Sequence, residues 1–270
     1  MPDEERGAAL RRRLLDAALR LVEEAGGLAV TADTLALDAV VREAGVARTS
    51  VYREWSGREA FYVDLLRELA GPGWQGPSPY DEDAVLLARR VVAGRLRDLG
   101  TAEGRSAVLE ELVRRAALVD YQGLVRSVQW RSWVAVVAAV QHLPRAADRV
   151  RVERVLRASE AALVEHMAAM WAGLGVVLGR RLRPHVRGWA TVATAAASVV
   201  EGFGVRRLLS PDSSDRVVVV DGPDGPQEWH LVALTMLSVV EGLTEPVPDY
   251  DPDVALADYL VHLAEREAVR

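Results

Sequence analysis

Residues 39–68 read AVVREAGVARTSVYREWSGREAFYVDLLRE. Two short helical patterns meet at Ala44-Gly45-Val46, and a chain bending between two helices at that spacing needs a residue that tolerates positive φ, which Gly45 supplies. Val40, Val41, Ala44, Val46 and Val51 are spaced to pack the two helices on one another. Arg48, Thr49, Ser50, Tyr52 and Arg53 then face outward. All five carry hydrogen-bond donors, the groups that a DNA backbone accepts. The pattern is a helix-turn-helix.

The rest of the chain sets limits on what this motif serves. At 270 residues, half of them apolar, there is room for one large domain or two modest ones with a sizeable core. The longest uncharged apolar runs fall short of the roughly 20 residues that span a bilayer. The N-terminus, MPDEERGAALRRR, has no apolar signal core, so the expected location is cytoplasmic, with no membrane partner. Cysteine is absent, which removes disulfides, thiolate metal sites and cysteine nucleophiles. The five histidines are scattered and never approach ligand spacing, so neither a metal nor another cofactor is expected. Lysine, asparagine and isoleucine are also missing, and all 33 basic residues are arginine.

Net charge is −6, and residues 1–70 alone carry ten Arg against thirteen Asp and Glu. DNA binding by such a domain depends on where the arginines sit: a few phosphate contacts on one face suffice if the carboxylates point away. Weak non-specific binding and strong salt sensitivity follow.

Helical periodicity dominates from end to end, so the expected fold class is all-α. Leu10, Leu14, Leu15, Ala18, Leu21 and Val22 form an apolar stripe for a first helix over 8–25, stopped by Gly26-Gly27. Further helices are predicted over 35–44, 48–55 and 58–69. Gly71-Pro72-Gly73 and Gly76-Pro77-Ser78-Pro79 make the clearest break, and a domain boundary is placed there, between 8–70 and 80–270. Periodic patterns follow at 81–99, 103–119, 123–142, 146–174, 184–208, 227–243 and 251–268. Val217–Val220 is strand-like but lacks an obvious partner and is expected to be an extended loop.

At this point the chain resembles the TetR family of bacterial transcriptional regulators. The likeness covers 8–70: the amphipathic first helix ending in Glu24-Ala25-Gly26, the Ala44-Gly45-Val46 turn, Ser50-Val51-Tyr52 with an aromatic at Trp55, and Arg58-Glu59-Ala60-Phe61 opening a fourth helix. The resemblance implies that the third helix enters the major groove and that Tyr52 and Arg58 touch phosphates. It also implies that the remaining 200 or so residues form an all-helical effector-binding and dimerisation domain. Some positions depart from the family pattern. The stretch between Gly26 and the turn is longer, Ala47 stands where helix three is usually capped, and Thr34 or Asp33 substitutes as the cap of helix two. Glu54 brings a negative charge that would repel phosphate if it faced DNA.

Each outward residue has a chemical role to offer. Arg48 suits base reading, because guanidinium donates two parallel bonds to guanine. Thr49 and Ser50 are short enough for close approach, and Tyr52 combines a packing ring with a hydroxyl for phosphate. Arg53 and Arg58 suit backbone contacts, Arg58 from the first turn of helix four. Arg11-Arg12-Arg13 either reach phosphate from helix one or form a solvated face, and Trp55 belongs to the core.

One helix-turn-helix reads one short half-site, so a homodimer is expected on a double-stranded operator. Candidate interface helices are those containing 189–198, rich in small side chains, and 231–243. Tyr121, Trp130, Trp133, His166, Met170 and Trp171 gather aromatic, thioether and polar groups suited to a small apolar effector. The expected function is a sequence-specific DNA-binding regulator, in the first instance a repressor released by that effector. A regulator without effector control and an all-helical enzyme are the alternatives. No phosphate loop, metal-ligand spacing or nucleophile elbow is present to support the second.

Overall fold

The computed structural model describes residues 2–28, 37–74, 82–222 and 225–257. In chain order the helices and strands are α1 (Pro2–Glu24), α2 (Leu37–Ala44), α3 (Arg48–Glu54), α4 (Arg58–Ala70), α5 (Glu82–Gly94), α6 (Ala102–Arg126), α7 (Val128–Val140), α8 (Ala146–Val177), β1 (Arg180–Leu182), α9 (Trp189–Arg207), α10 (Pro211–Ser214), β2 (Val217–Gly222), β3 (Gly225–His230), α11 (Leu231–Leu243) and β4 (Thr244–Pro246). Short 3-10 turns follow α4 and α5. The class is all-α, with two small antiparallel strand pairs, β1–β4 and β2–β3.

The chain divides into two compact units: 1–77 with 126–162, and 78–125 with 163–270. The first unit therefore holds more than the 8–70 stretch, because α7 and the start of α8 belong to it. Its core is built on the stripe of α1, where Leu14, Ala17 and Ala18 have no exposed surface, together with Val40, Val51, Leu65, Leu66 and Val136. Burying each such Val or Leu side chain contributes about 1.5–3 kcal/mol. Two hydrogen bonds dock the end of α1 on α7: Arg131 Nε donates to the Gly26 carbonyl at 3.0 Å, and the Leu28 amide donates to Ser132 Oγ at 3.1 Å.

In the second unit, Val108, Leu109 and Tyr121 of α6 pack in one core with Met167 and Trp171 of α8, Ala196 of α9 and Met236 of α11. α8 runs through Gly173 and Gly175, three residues beyond the predicted end of the 146–174 pattern. A Cβ on Gly175 would lie 2.5 Å from the Trp189 ring, so this glycine allows the indole to approach rather than ending the helix.

Other boundaries move for identifiable reasons. The patterns at 103–119 and 123–142 divide instead at Ser127, whose Oγ accepts the Trp130 amide at 3.1 Å and caps α7, so α6 continues through Gly123. The predicted loop at Val217–Val220 is a strand: β2 pairs with β3 in the register Val218↔Trp229 and Val220↔Gln227. The partner segment, GPQEWH, takes residues 227–230 from the predicted 227–243 helix, which begins only at Leu231. Thr34 and Asp33, the expected cap of α2, lie outside the described residues.

Candidate nucleic-acid interface

The turn between α2 and α3 has the geometry that its glycine suggested. Gly45 has φ +61°, its amide donates to the Arg42 carbonyl at 3.1 Å, and the Val46 amide reaches back to Val41 at 3.2 Å. These are the two bonds of a Schellman ending. A Cβ here would also meet an Arg13 guanidinium nitrogen at 3.2 Å. Val51, fully buried, fixes the rotation of α3 about its axis.

That rotation leaves Arg48, Thr49, Tyr52 and Arg53 exposed, with Ser50 half-buried, and Arg58 opens α4 with its side chain exposed. Tyr52 is 54% exposed, so little of its ring serves the core. Arg48 Nη1 lies 3.3 Å from Asp38 Oδ1 on α2, an ion pair open to water on both sides. Arg53 Nε makes a long contact of 3.4 Å with Glu54. The Glu54 side chain is turned back toward α1: it is 15% exposed, and its carboxylate packs over Gly7, where a Cβ would lie 3.2 Å from Oε2.

Several other carboxylates of the domain are paired with arginines, within a helix or across helices. Arg12 holds Asp16 at 2.9 Å and Glu68 at 3.2 Å, and Arg20 holds Glu43 at 3.0 Å. Asp64, almost fully buried on α4, accepts from Trp55 Nε1 at 2.8 Å, from Arg67 at 3.1 Å and from Arg11. Trp55 caps the C-terminal end of α3 and meets Phe61 edge-on at 5.1 Å. Asp64 thus anchors the end of α3 to α4 through an indole. Sequence reading missed Asp64 and Asp38. The signal for Asp64 was a lone carboxylate inside the apolar run FYVDLL, at positions all of which are buried.

The expected effector residues separate. Trp130 and Trp133 lie on α7 in the first unit, whereas Tyr121, His166, Met170 and Trp171 lie in the second. Trp171 is buried with Met167, Met170 packs on the same core, and His166 is exposed on α8. The Trp171 indole N–H is buried without a hydrogen-bond partner, as is that of Trp130. A buried donor left unsatisfied costs about 1–3 kcal/mol.

Tyr121 is engaged already. Its hydroxyl donates to Asp215 Oδ1 at 2.7 Å, Arg207 Nε donates to Oδ2 at 2.9 Å, and the His230 ring stands 5.1 Å from the Tyr121 ring. Burial and the hydrogen bond to Asp215 both push the Tyr121 hydroxyl above its usual pKa. Burial alone would raise Asp215, yet the bonds from Tyr121 and Arg207 and the charge of Arg207 hold it below the usual range. Burial pulls His230 below the ordinary imidazole value, partly offset by Asp215. Among the described residues no helix is long and apolar enough to cross a membrane.

No protein-family model matches the chain, and no curated protein matches it. Solved structures do. NemR of E. coli in its reduced form is 15% identical, covering 88% of this chain and 99% of that one, with a TM-score of 0.45. A protein of Saccharomonospora viridis described as a transcriptional regulator, in complex with choline, is 16% identical over 88% and 99%, with a TM-score of 0.43. A TetR transcriptional regulator of Streptomyces coelicolor is 18% identical over 87% and 98%, with a TM-score of 0.33. Among the solved structures to which the chain is similar, that of Streptomyces coelicolor is described as a TetR transcriptional regulator.

Proposed function

We propose that the protein is a sequence-specific, DNA-binding transcriptional regulator acting as a cytoplasmic homodimer, with 8–70 as the DNA-binding domain and 80–270 as the effector-binding and dimerisation domain. The observation that carries this reading is the outward face of α3. Val51 is locked into the core while Arg48, Thr49, Tyr52 and Arg53 stand exposed, and the nearest carboxylate on the same helix, Glu54, is turned away. Such a face presents donors to a major groove, with the carboxylate of its own helix turned aside and Asp38 of α2 engaged with Arg48.

Arg48 reads a base, Thr49 and Ser50 line the approach, and Tyr52, Arg53 and Arg58 hold phosphates. The outer faces of α9 and α11 join two copies, so that two α3 helices reach successive major grooves. The regulator represses by occluding polymerase until a small apolar effector binds among Tyr121, His166, Met170 and Trp171. The unsatisfied Trp171 indole favours an effector with one hydrogen-bond acceptor on an apolar body. Release requires that the effector bind two conformations with different affinity, with α4 shifting to alter half-site separation.

The test is binding to the DNA upstream of the protein's own gene. Arg48→Ala should weaken binding by about 5- to 150-fold, the range of one bidentate base contact, and Tyr52→Phe by a smaller factor. Undiminished affinity in both variants would sink the assignment of this face.

A further inference from the structure

We propose that Asp38 is a second specificity-determining residue, which reads one G·C pair jointly with Arg48: the guanidinium takes the guanine and the carboxylate takes the cytosine. The inference rests on the DNA-binding reading above and extends it to a residue of α2.

Asp38 lies in the first turn of α2, on the side away from the buried Leu37, Val40, Val41 and Ala44. Its Oδ1 is 3.3 Å from Nη1 of Arg48, the first residue of α3, and the two side chains are 62% and 63% exposed. Among the described residues neither has another polar partner. The two charges therefore stand side by side on the outward face, tied to each other and to nothing buried. A pair so open to water contributes little to stability. A carboxylate facing phosphates also weakens attraction to DNA of every sequence. What it can add is selectivity, because a group that rejects the wrong partner discriminates as well as one that attracts the right one.

The chemistry of the pair selects the bases. Arg48 brings donors alone and an ionised Asp38 acceptors alone. With Nη1 turned to Asp38, the edge formed by Nε and Nη2 is left for two parallel bonds. Across the major groove a G·C pair presents two acceptors, guanine N7 and O6, and then one donor, cytosine N4. O6 and N4 are bonded to each other within the pair, so they are neighbours, as the guanidinium and the carboxylate are. Two donors followed by an acceptor is the complement of that edge. An A·T pair presents acceptor, donor, acceptor, which sets a donor against Arg48 and an acceptor against Asp38. A C·G pair reverses the order. Arg48 alone could swing to a guanine on either strand; the carboxylate fixes which strand carries it.

The test uses the full-length protein and the DNA upstream of its own gene, with each base pair of the bound site exchanged in turn. Arg48→Ala locates the pair whose identity ceases to matter. Asp38→Ala, a change at an exposed position, should bind random-sequence DNA more tightly than the wild type. Its preference for that G·C pair over the inverted C·G pair should fall about tenfold, the range of one hydrogen bond to a charged group. N4-methylcytosine at the same pair keeps the guanine and the bonds within the pair but puts a methyl group where N4 faces the groove. It should weaken the wild type by about the same factor and Asp38→Ala hardly at all. If Arg48→Ala relaxes one pair while Asp38→Ala relaxes none, or if the methyl group weakens both proteins equally, joint reading is overturned and the α3 face stands. If Arg48→Ala relaxes no pair, the base-reading role of Arg48 falls and joint reading with it.

Discussion

His230 does two things that a proton would undo. Its Nδ1 accepts the Val232 amide at 3.3 Å, capping α11, and its ring is buried against Tyr121. Protonation removes the acceptor and places a positive charge at a helix N-terminus, where the dipole opposes it. Its pKa is lowered in the folded protein, first by burial and with partial relief from Asp215, so the unfolded chain binds this proton more readily. Stability from this site is therefore present above the ordinary histidine pKa, near 6.5, and is lost as pH falls through that value toward the folded one. His230→Asn keeps a capping acceptor and cannot titrate. The loss of Tm between pH 7 and pH 5 should be smaller in this variant than in the wild type. An equal loss in both would show that His230 is not responsible. Nothing in the sequence marked this histidine, because Tyr121 is far away along the chain and Asp215 is brought beside it by the β2–β3 pairing, which the sequence did not announce.

At the scale of elements, α3 is the clearest case of a rule met halfway. Ala47 has the extended backbone of an N-cap, φ −71° and ψ 143°, and no side chain to cap with. Ala47→Ser should stabilise the protein by about 0.5–1 kcal/mol, read as a shift in the denaturation midpoint; an unchanged or lowered midpoint would mean that the α3 amides are satisfied another way. The helices of the first unit were legible because a 3.6-residue period needs only one apolar face, and Leu14, Ala18, Val40 and Val51 all fall on theirs. The β2–β3 hairpin was not. Four valines in a row show no alternation, and the partner strand, with Gly225, Pro226 and Glu228, carries no apolar pattern until Trp229. Pairing is a property of two segments, and only one of them announced itself. The donors on α3 were legible in the same way as the helix itself, whereas Asp38 opposite Arg48 depended on how α2 crosses α3.

For the whole molecule, a net charge of −6 leaves little long-range attraction for DNA, so binding must come from contacts rather than from a field. The structure removes several arginines from that account. Arg11 is committed to Asp64, Arg12 to Asp16 and Glu68, and Arg20 to Glu43. With Arg53 and Arg58 from each copy as the cationic phosphate contacts, the plot of log affinity against log salt should have a slope of about −4. A slope twice as steep, measured by titration at several salt concentrations, would mean that the α1 arginines leave their partners to join the DNA.

Gly7 and Glu54 meet across two helices, although they are far apart along the chain. A methyl group at position 7 would press on the Glu54 carboxylate, whose Oε1 already lies 3.4 Å from Arg53 Nε. A change in volume on the first helix would then be felt as a change in potential on the third. A Cβ at position 7 thus asks the Glu54 carboxylate to give by a few tenths of an ångström, and that small displacement of charge takes place beside Arg53.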